Sequence, residues 1–168
     1  MTNRFITVGV DGSASSSAAL RLAVEEARVR QCGVRVVTAW QAATIYAADS
    51  GALFPEERTA YERKAAELQE QAVRSVTGDG EELPLIERRL VRGDPGPALV
   101  ALSHDADLLA VGTEHKGILK RVTAGSTSVY CIRHSQVPVV VVPFVTKEQV
   151  VDGGTRPPHV AVGAGPIL

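Results

Sequence analysis

Apolar positions along this chain change their spacing in a regular alternation, and each change marks an element. Residues 5–10 (Phe5, Ile6, Thr7, Val8, Gly9, Val10) form a short apolar run closed by Asp11-Gly12, which predicts a strand. The serines over 13–17 then offer several N-caps. Ala19, Leu20, Ala23, Val24 and Ala27 follow at helical spacing, with Gly33 as the expected stop. Residues 34–40 read as a second strand. After a looser stretch over 41–54, Pro55, Glu56 and Glu57 mark a helix start. Proline suits the first helical position, and carboxylates suit the positive end of the helix dipole. Tyr61, Ala65, Leu68, Ala72 and Val76 carry that helix to Gly78.

The second half continues the alternation. Residues 85–91 predict a third strand, where Pro84 and the charges of Glu87, Arg88 and Arg89 point to a sheet edge. Asp94-Pro95 opens a helix carrying Ala98, Leu99, Ala101 and Leu102. Residues 108–111 are apolar throughout and predict a central fourth strand. Residues 126–134 read as a helix and 138–143 as a fifth strand. The order β-α-β-α-β-α-β-α-β predicts an α/β fold: a doubly wound parallel sheet of five strands with helices on both faces. Ligands of such sheets bind beyond the carboxyl ends of the strands, where the winding reverses.

Composition narrows the function classes. The chain has 168 residues, enough for one sizeable domain, and its 45% hydrophobic and 22% charged content fits a globular protein. Net charge is −1, so no global field recruits nucleic acid or an anionic membrane, and any anion site must be local. Cys32 and Cys131 make no CxxC pair or zinc-like cluster and read as buried free thiols. Met1-Thr2-Asn3-Arg4 enters the first strand directly, and the apolar runs are too short to span a bilayer. A cytoplasmic location is the expectation. After Phe144 the chain turns Gly- and Pro-rich, so the expected organisation is a domain over 1–144 and a flexible tail over 145–168.

The segment with most chemical content runs from Gly112-Thr113-Glu114-His115-Lys116-Gly117 to Gly125-Ser126-Thr127-Ser128. An apolar strand, a glycine-bearing loop and a hydroxyl-rich helix start predict a phosphate cradle. Glycine admits an anion close to the backbone, and the free N–H groups of a first helical turn point at it. An ordinary N-cap competes with that reading, as an Asp-Gly turn does at Asp11. Cys131 and His134, three apart on one helix, lack a second pair for a metal site. His104, Asp105 and Asp107 fall at the amino end of the fourth strand and read as surface or capping groups. No GxSxG, HExxH, GxxxxGK[ST] or GxGxxG pattern occurs.

These features together resemble the universal stress protein family. The resemblance rests on Val8-Gly9-Val10-Asp11-Gly12-Ser13, Gly93-Asp94-Pro95, Ala106-Asp107-Leu108, Gly112 and Gly125-Ser126, and covers roughly the first 144 residues. It implies the strand order 3-2-1-4-5, a homodimer paired through the last strand (Val139, Val140, Val141, Val142), and bound ATP or ADP with Mg²⁺. By position, Asp11 would reach the ribose or adenine and the backbone near Ala39 the adenine edge, with Gly9 and Val10 also among the nucleotide-binding residues. Val111 and Gly112 would line the ribose side, and Gly125, Ser126, Thr127 and Ser128 would hold the phosphates.

The nucleotide-binding branch of the family carries glycine, two residues, glycine, nine residues, glycine and then Ser or Thr. Here the second place is His115. The resemblance therefore supports two functions: a nucleotide-binding stress regulator or sensor with at most slow hydrolysis, or a dimeric interaction protein that His115 has deprived of nucleotide. In the first, His115, Lys116, Lys120 and Arg121 would be phosphate donors. A third reading, an adenylyl-transferring enzyme, lacks the SGGxDS-type loop after the first strand.

Overall fold

The computed structural model describes residues 4–41, 55–76, 83–114 and 127–144. Five strands and four helices alternate: β1 (Phe5–Gly9), α1 (Ala14–Arg30), β2 (Gly33–Trp40), α2 (Pro55–Val76) and β3 (Ile86–Arg92) come first. Then follow α3 (Pro95–Leu102), β4 (Leu108–Glu114), α4 (Thr127–His134) and β5 (Val139–Phe144). All strand pairs are parallel, in the order β3-β2-β1-β4-β5. The winding reverses between β1 and β4.

Alternate strand residues feed two cores, as the two-residue period of a strand requires. Ile6, Val8, Val34, Val36, Leu108 and Ala110 pack against α1 and the Ala72-Val73 stretch of α2. Val37, Leu109 and Val111 face the other way, against Leu99 of α3 and Cys131 of α4. Burying each such aliphatic side chain contributes about 1.5–3 kcal/mol, and this is what clamps both helical layers to the sheet.

Two local expectations are corrected. Gly33 does not stop α1. Gln31 does so, in the left-handed region at φ 53°, while the Cys32 N–H donates to the Ala27 carbonyl at 3.0 Å. Gly33 is instead the first residue of β2, where a Cβ would lie 2.6 Å from Phe5 Cε1 on the neighbouring strand. Gly112 is not in a loop either. The fourth strand continues to Glu114 because Gly112, Thr113 and Glu114 pair with Val142, Pro143 and Phe144 of β5.

Candidate functional site

A cleft of about 130 Å³ opens at the carboxyl ends of β1, β2 and β4, where the winding reverses. Gly9 and Val10 from β1 and its exit, Val37 and Ala39 from β2, and Val111 and Gly112 from β4 contribute to its walls. Leu99 fills the space beneath Gly9, so closely that a Cβ there would sit 2.9 Å from Leu99 Cδ1. The glycine lets α3 close on β1.

Three helices begin at this cleft, represented in its lining by Ser13, Ser15 and Ser16 of the α1 start, Pro95 of α3 and Thr127 of α4. None of the three has a carboxylate in its first turn. Just before those turns, Asp94 is the N-cap of α3 and Asp11 accepts the N–H of the α1 cap Ser13, so two of the positive dipole ends already have a carboxylate close by.

The α1 start is a dense hydroxyl network. Ser13 is the N-cap, in extended geometry, and its Oγ accepts the Ser16 N–H at 3.1 Å. Ser13 Oγ also lies 2.9 Å from Ser15 Oγ, and Ser16 Oγ donates to the Ser13 carbonyl at 3.0 Å. Asp11 joins this network by accepting the Ser13 N–H on Oδ1 at 2.9 Å. Burial pushes the Asp11 carboxyl up. Hydrogen bonds from Ser13, from the Ser16 hydroxyl and from its own amide outweigh that and hold it below the ordinary carboxylate value. Asp11 is thus an ionised acceptor at neutral pH, and no Lys, Arg or His among the described residues lines the cleft.

Seven of the expected site residues meet here: Gly9, Val10, Asp11, Ala39, Val111, Gly112 and Thr127. Ser128 does not line the cleft. It is buried behind the first residue of α4. His115, Gly125 and Ser126 lie outside the described residues. Sequence reasoning passed over Ser15, Ser16, Val37, Pro95 and Leu99 as cleft residues. The hydroxyl run directly after a strand was the available signal for the serines. Leu99 carried none, because an apolar residue on a helix reads equally well as core.

Other candidates separate. Cys131 is fully buried, and burial pushes its thiol up to about 11. His134 is exposed and stacks on Tyr130 with ring centroids 4.1 Å apart. Among the described residues no three His, Cys, Asp or Glu side chains gather as metal ligands. A wider groove of about 490 Å³ separates α1 from α2, lined in part by Lys64, Glu67 and Gln71, and holds none of the expected site residues. No described helix is long and apolar enough to cross a membrane.

Comparison with known proteins fits this geometry. The model of the universal stress protein family matches residues 2–143. A universal stress protein of Mycolicibacterium smegmatis is 32% identical over 144 residues, 82% of this chain and 47% of the relative. The chain spans about half the length of the curated relatives it matches. Among solved structures, UspA from Lactobacillus plantarum has a TM-score of 0.63 at 23% identity, covering 84% of this chain and 99% of that one. A universal stress protein in complex with cAMP has a TM-score of 0.51 at 27% identity, with 84% and 98% covered.

Proposed function

Because the chain belongs to the universal stress protein family, we propose that its cleft binds an adenine nucleotide, ATP or ADP, and that occupancy makes it a stress-response regulator or sensor. The observation that carries this reading is the convergence on one cleft of Asp11, from the β1–α1 turn, with Ala39, Val111 and Thr127, from three separate elements. The relative bound to cAMP supports the adenine class. Asp11, ionised, accepts from a ribose hydroxyl or the adenine amino group. Ala39 leaves room for the flat base, and Val111 lines the ribose side. The phosphates run toward Thr127 and the segment carrying His115, Gly125 and Ser126, with Mg²⁺ bound to their oxygens. Asp11, the one carboxylate among the described cleft residues, is engaged by the Ser13 N–H, which favours binding over turnover as the output. A domain over 1–144 does this work, and a second copy pairs along β5.

Calorimetric titration of the full chain with ATP and with ADP, each with Mg²⁺, tests the reading. Ala39→Leu fills the base site and is expected to weaken binding at least about tenfold, or roughly 1.4 kcal/mol, while the fold persists. If the native chain binds neither nucleotide and His115→Gly does, the interaction-protein reading replaces this one.

A further inference from the structure

Gly112 stands in the first glycine place of the nucleotide-binding pattern and lines the cleft, yet its surroundings point to a different task. A methyl group on Gly112 would fall inside contact distance of the Ser15 carbonyl carbon and oxygen, and 2.7 Å from the Ser16 amide nitrogen. All three neighbours are backbone. At Gly9 and Gly33 the nearest obstacles are the Leu99 and Phe5 side chains, which can rotate or yield. At Gly112 the first turn of α1 itself would have to retreat.

That turn is held from several directions. Ser15 and Ser16 are each only 4% exposed. The Ser16 N–H is bound by Ser13 Oγ at 3.1 Å, and the Ser17 N–H by the Ser13 carbonyl at 3.0 Å. Ser16 Oγ in turn accepts the Asp11 N–H at 3.4 Å, and Asp11 Oδ1 accepts the Ser13 N–H at 2.9 Å. A shift of Ser15 away from β4 is therefore passed to Asp11 through bonds already on this short path.

We infer that Gly112 is a positioning residue: it admits the α1 start against β4 and so sets the Asp11 side of the cleft, rather than acting by contact with ligand. This rests on the cleft being the nucleotide site only for its functional meaning; the packing requirement exists without any ligand. A consequence follows for the motif. Folding alone demands glycine at 112, so its presence does not distinguish a nucleotide-binding chain from a non-binding one.

The test uses the full chain without nucleotide. Gly112→Ala is expected to lower the melting temperature by about 5 °C or more, as overpacking against fixed backbone does, or to prevent folding. Either result supports packing at residue 112 over a ligand contact, whose removal leaves the ligand-free protein unchanged, and the coupling to the α1 start is read separately by NMR. Ala39→Leu, melted in parallel, is expected to stay near the native value.

Ser13→Ala supplies the second measurement, in a variant that loses the helix cap and the contact to Ser15 Oγ. By NMR without ligand, the Gly112 amide resonance is expected to move, although residues 13 and 112 lie on different elements. Gly112→Ala with a native melting temperature, or a Gly112 amide unmoved in Ser13→Ala, overturns the inference. Because neither measurement involves nucleotide, a native chain that binds none refutes the proposed function and leaves this result standing.

Discussion

Arg35 Nη1 lies 2.5 Å from Asp105 Oδ1, joining β2 to the turn before β4 across seventy residues of sequence. The same guanidinium donates through Nε to Glu87 on β3 at 2.8 Å and through Nη1 to the Leu102 carbonyl at 2.7 Å. It also lies over the Phe5 ring at 4.7 Å. The cluster closes the amino end of the sheet, opposite the cleft. Hydrogen bonding to Arg35 lowers the Asp105 pKa; at Glu87 burial pushes upward, and bonds from Arg89 and Arg35 outweigh it. Both folded values thus lie below the unfolded ones. Their stabilisation is complete above the ordinary carboxylate range, about pH 4–5, and is lost as pH falls through the depressed values. Melting curves of the native chain and Asp105→Asn are expected to differ at pH 7 and to converge toward pH 3. Arg35→Ala, which removes the partner of Asp105 and leaves Glu87 with Arg89 alone, is expected to cost about 2 kcal/mol at pH 7.

Gln69 on α2 is 2% exposed, and the two N–H groups of its Nε2 are shared among the Val36 carbonyl, Thr38 Oγ1 and the Arg89 carbonyl, each at 3.1 Å. One carboxamide thereby fastens α2 to two strands. Gln69→Leu keeps the volume but removes the donor, and is expected to cost about 1–2 kcal/mol. Gln69→Glu sets an acceptor against two carbonyl oxygens and is expected to be worse, by about 3 kcal/mol or through a strongly raised carboxyl pKa. Urea denaturation at pH 7 compares them. A Gln69→Glu chain as stable as the native one contradicts the assigned bonds.

At Asp11 the turn role and the proposed ligand role separate by substitution. Asn at this position still offers an oxygen to the Ser13 N–H, so Asp11→Asn is expected to melt within a few degrees of native. It lacks the charge, and nucleotide affinity is expected to fall about tenfold, as losing a charge-assisted bond implies. Asp11→Ala loses both and is expected to fall in stability and affinity together. Because the native carboxyl is held low, Asp11 adds no pH dependence to binding between about pH 6 and 8. Calorimetry beside thermal melts checks the split.

The order of elements was legible because each strand is a compact apolar run and each long helix repeats its apolar residues at helical spacing. The β3 edge was legible too, since Glu87-Arg88-Arg89 suits no buried strand. Long-range pairing was less so. Asp105 is exposed, as its reading as a surface group expects, but its ion pair was not legible because Arg35 sits inside a strand whose sequence gives no hint of one. Gly112 read as loop because Gly-Thr-Glu has weak strand preference; the pairing with β5 that extends β4 is a tertiary fact. Asp11, Ala39 and Thr127 were found through the family resemblance. Val37 and Leu99 belong equally to the core and the cleft, and only packing tells the two apart.

The two outer strands of the sheet are chemically opposite, and that difference locates the proposed dimer contact. β3 exposes Arg88, Arg89 and Arg92, whose charges discourage another strand from adding there. β5 presents Val139, Val140, Val141 and Val142, each half-buried, beside an outer edge that no described strand pairs. Valine favours extended pairing, and Pro138 and Pro143, which lack an N–H to donate, flank the four-valine run rather than interrupt it. Val141→Lys brings an ammonium to the edge while its stem still covers the α4 side, so a folded monomer is expected. Sedimentation velocity of the native chain should give twice the chain mass, and the variant once that mass, with its melting temperature lowered only modestly. Arg89→Thr, the matching change on β3, should leave the native assembly intact. A Val141→Lys chain that still sediments as a dimer would move the contact away from β5 altogether.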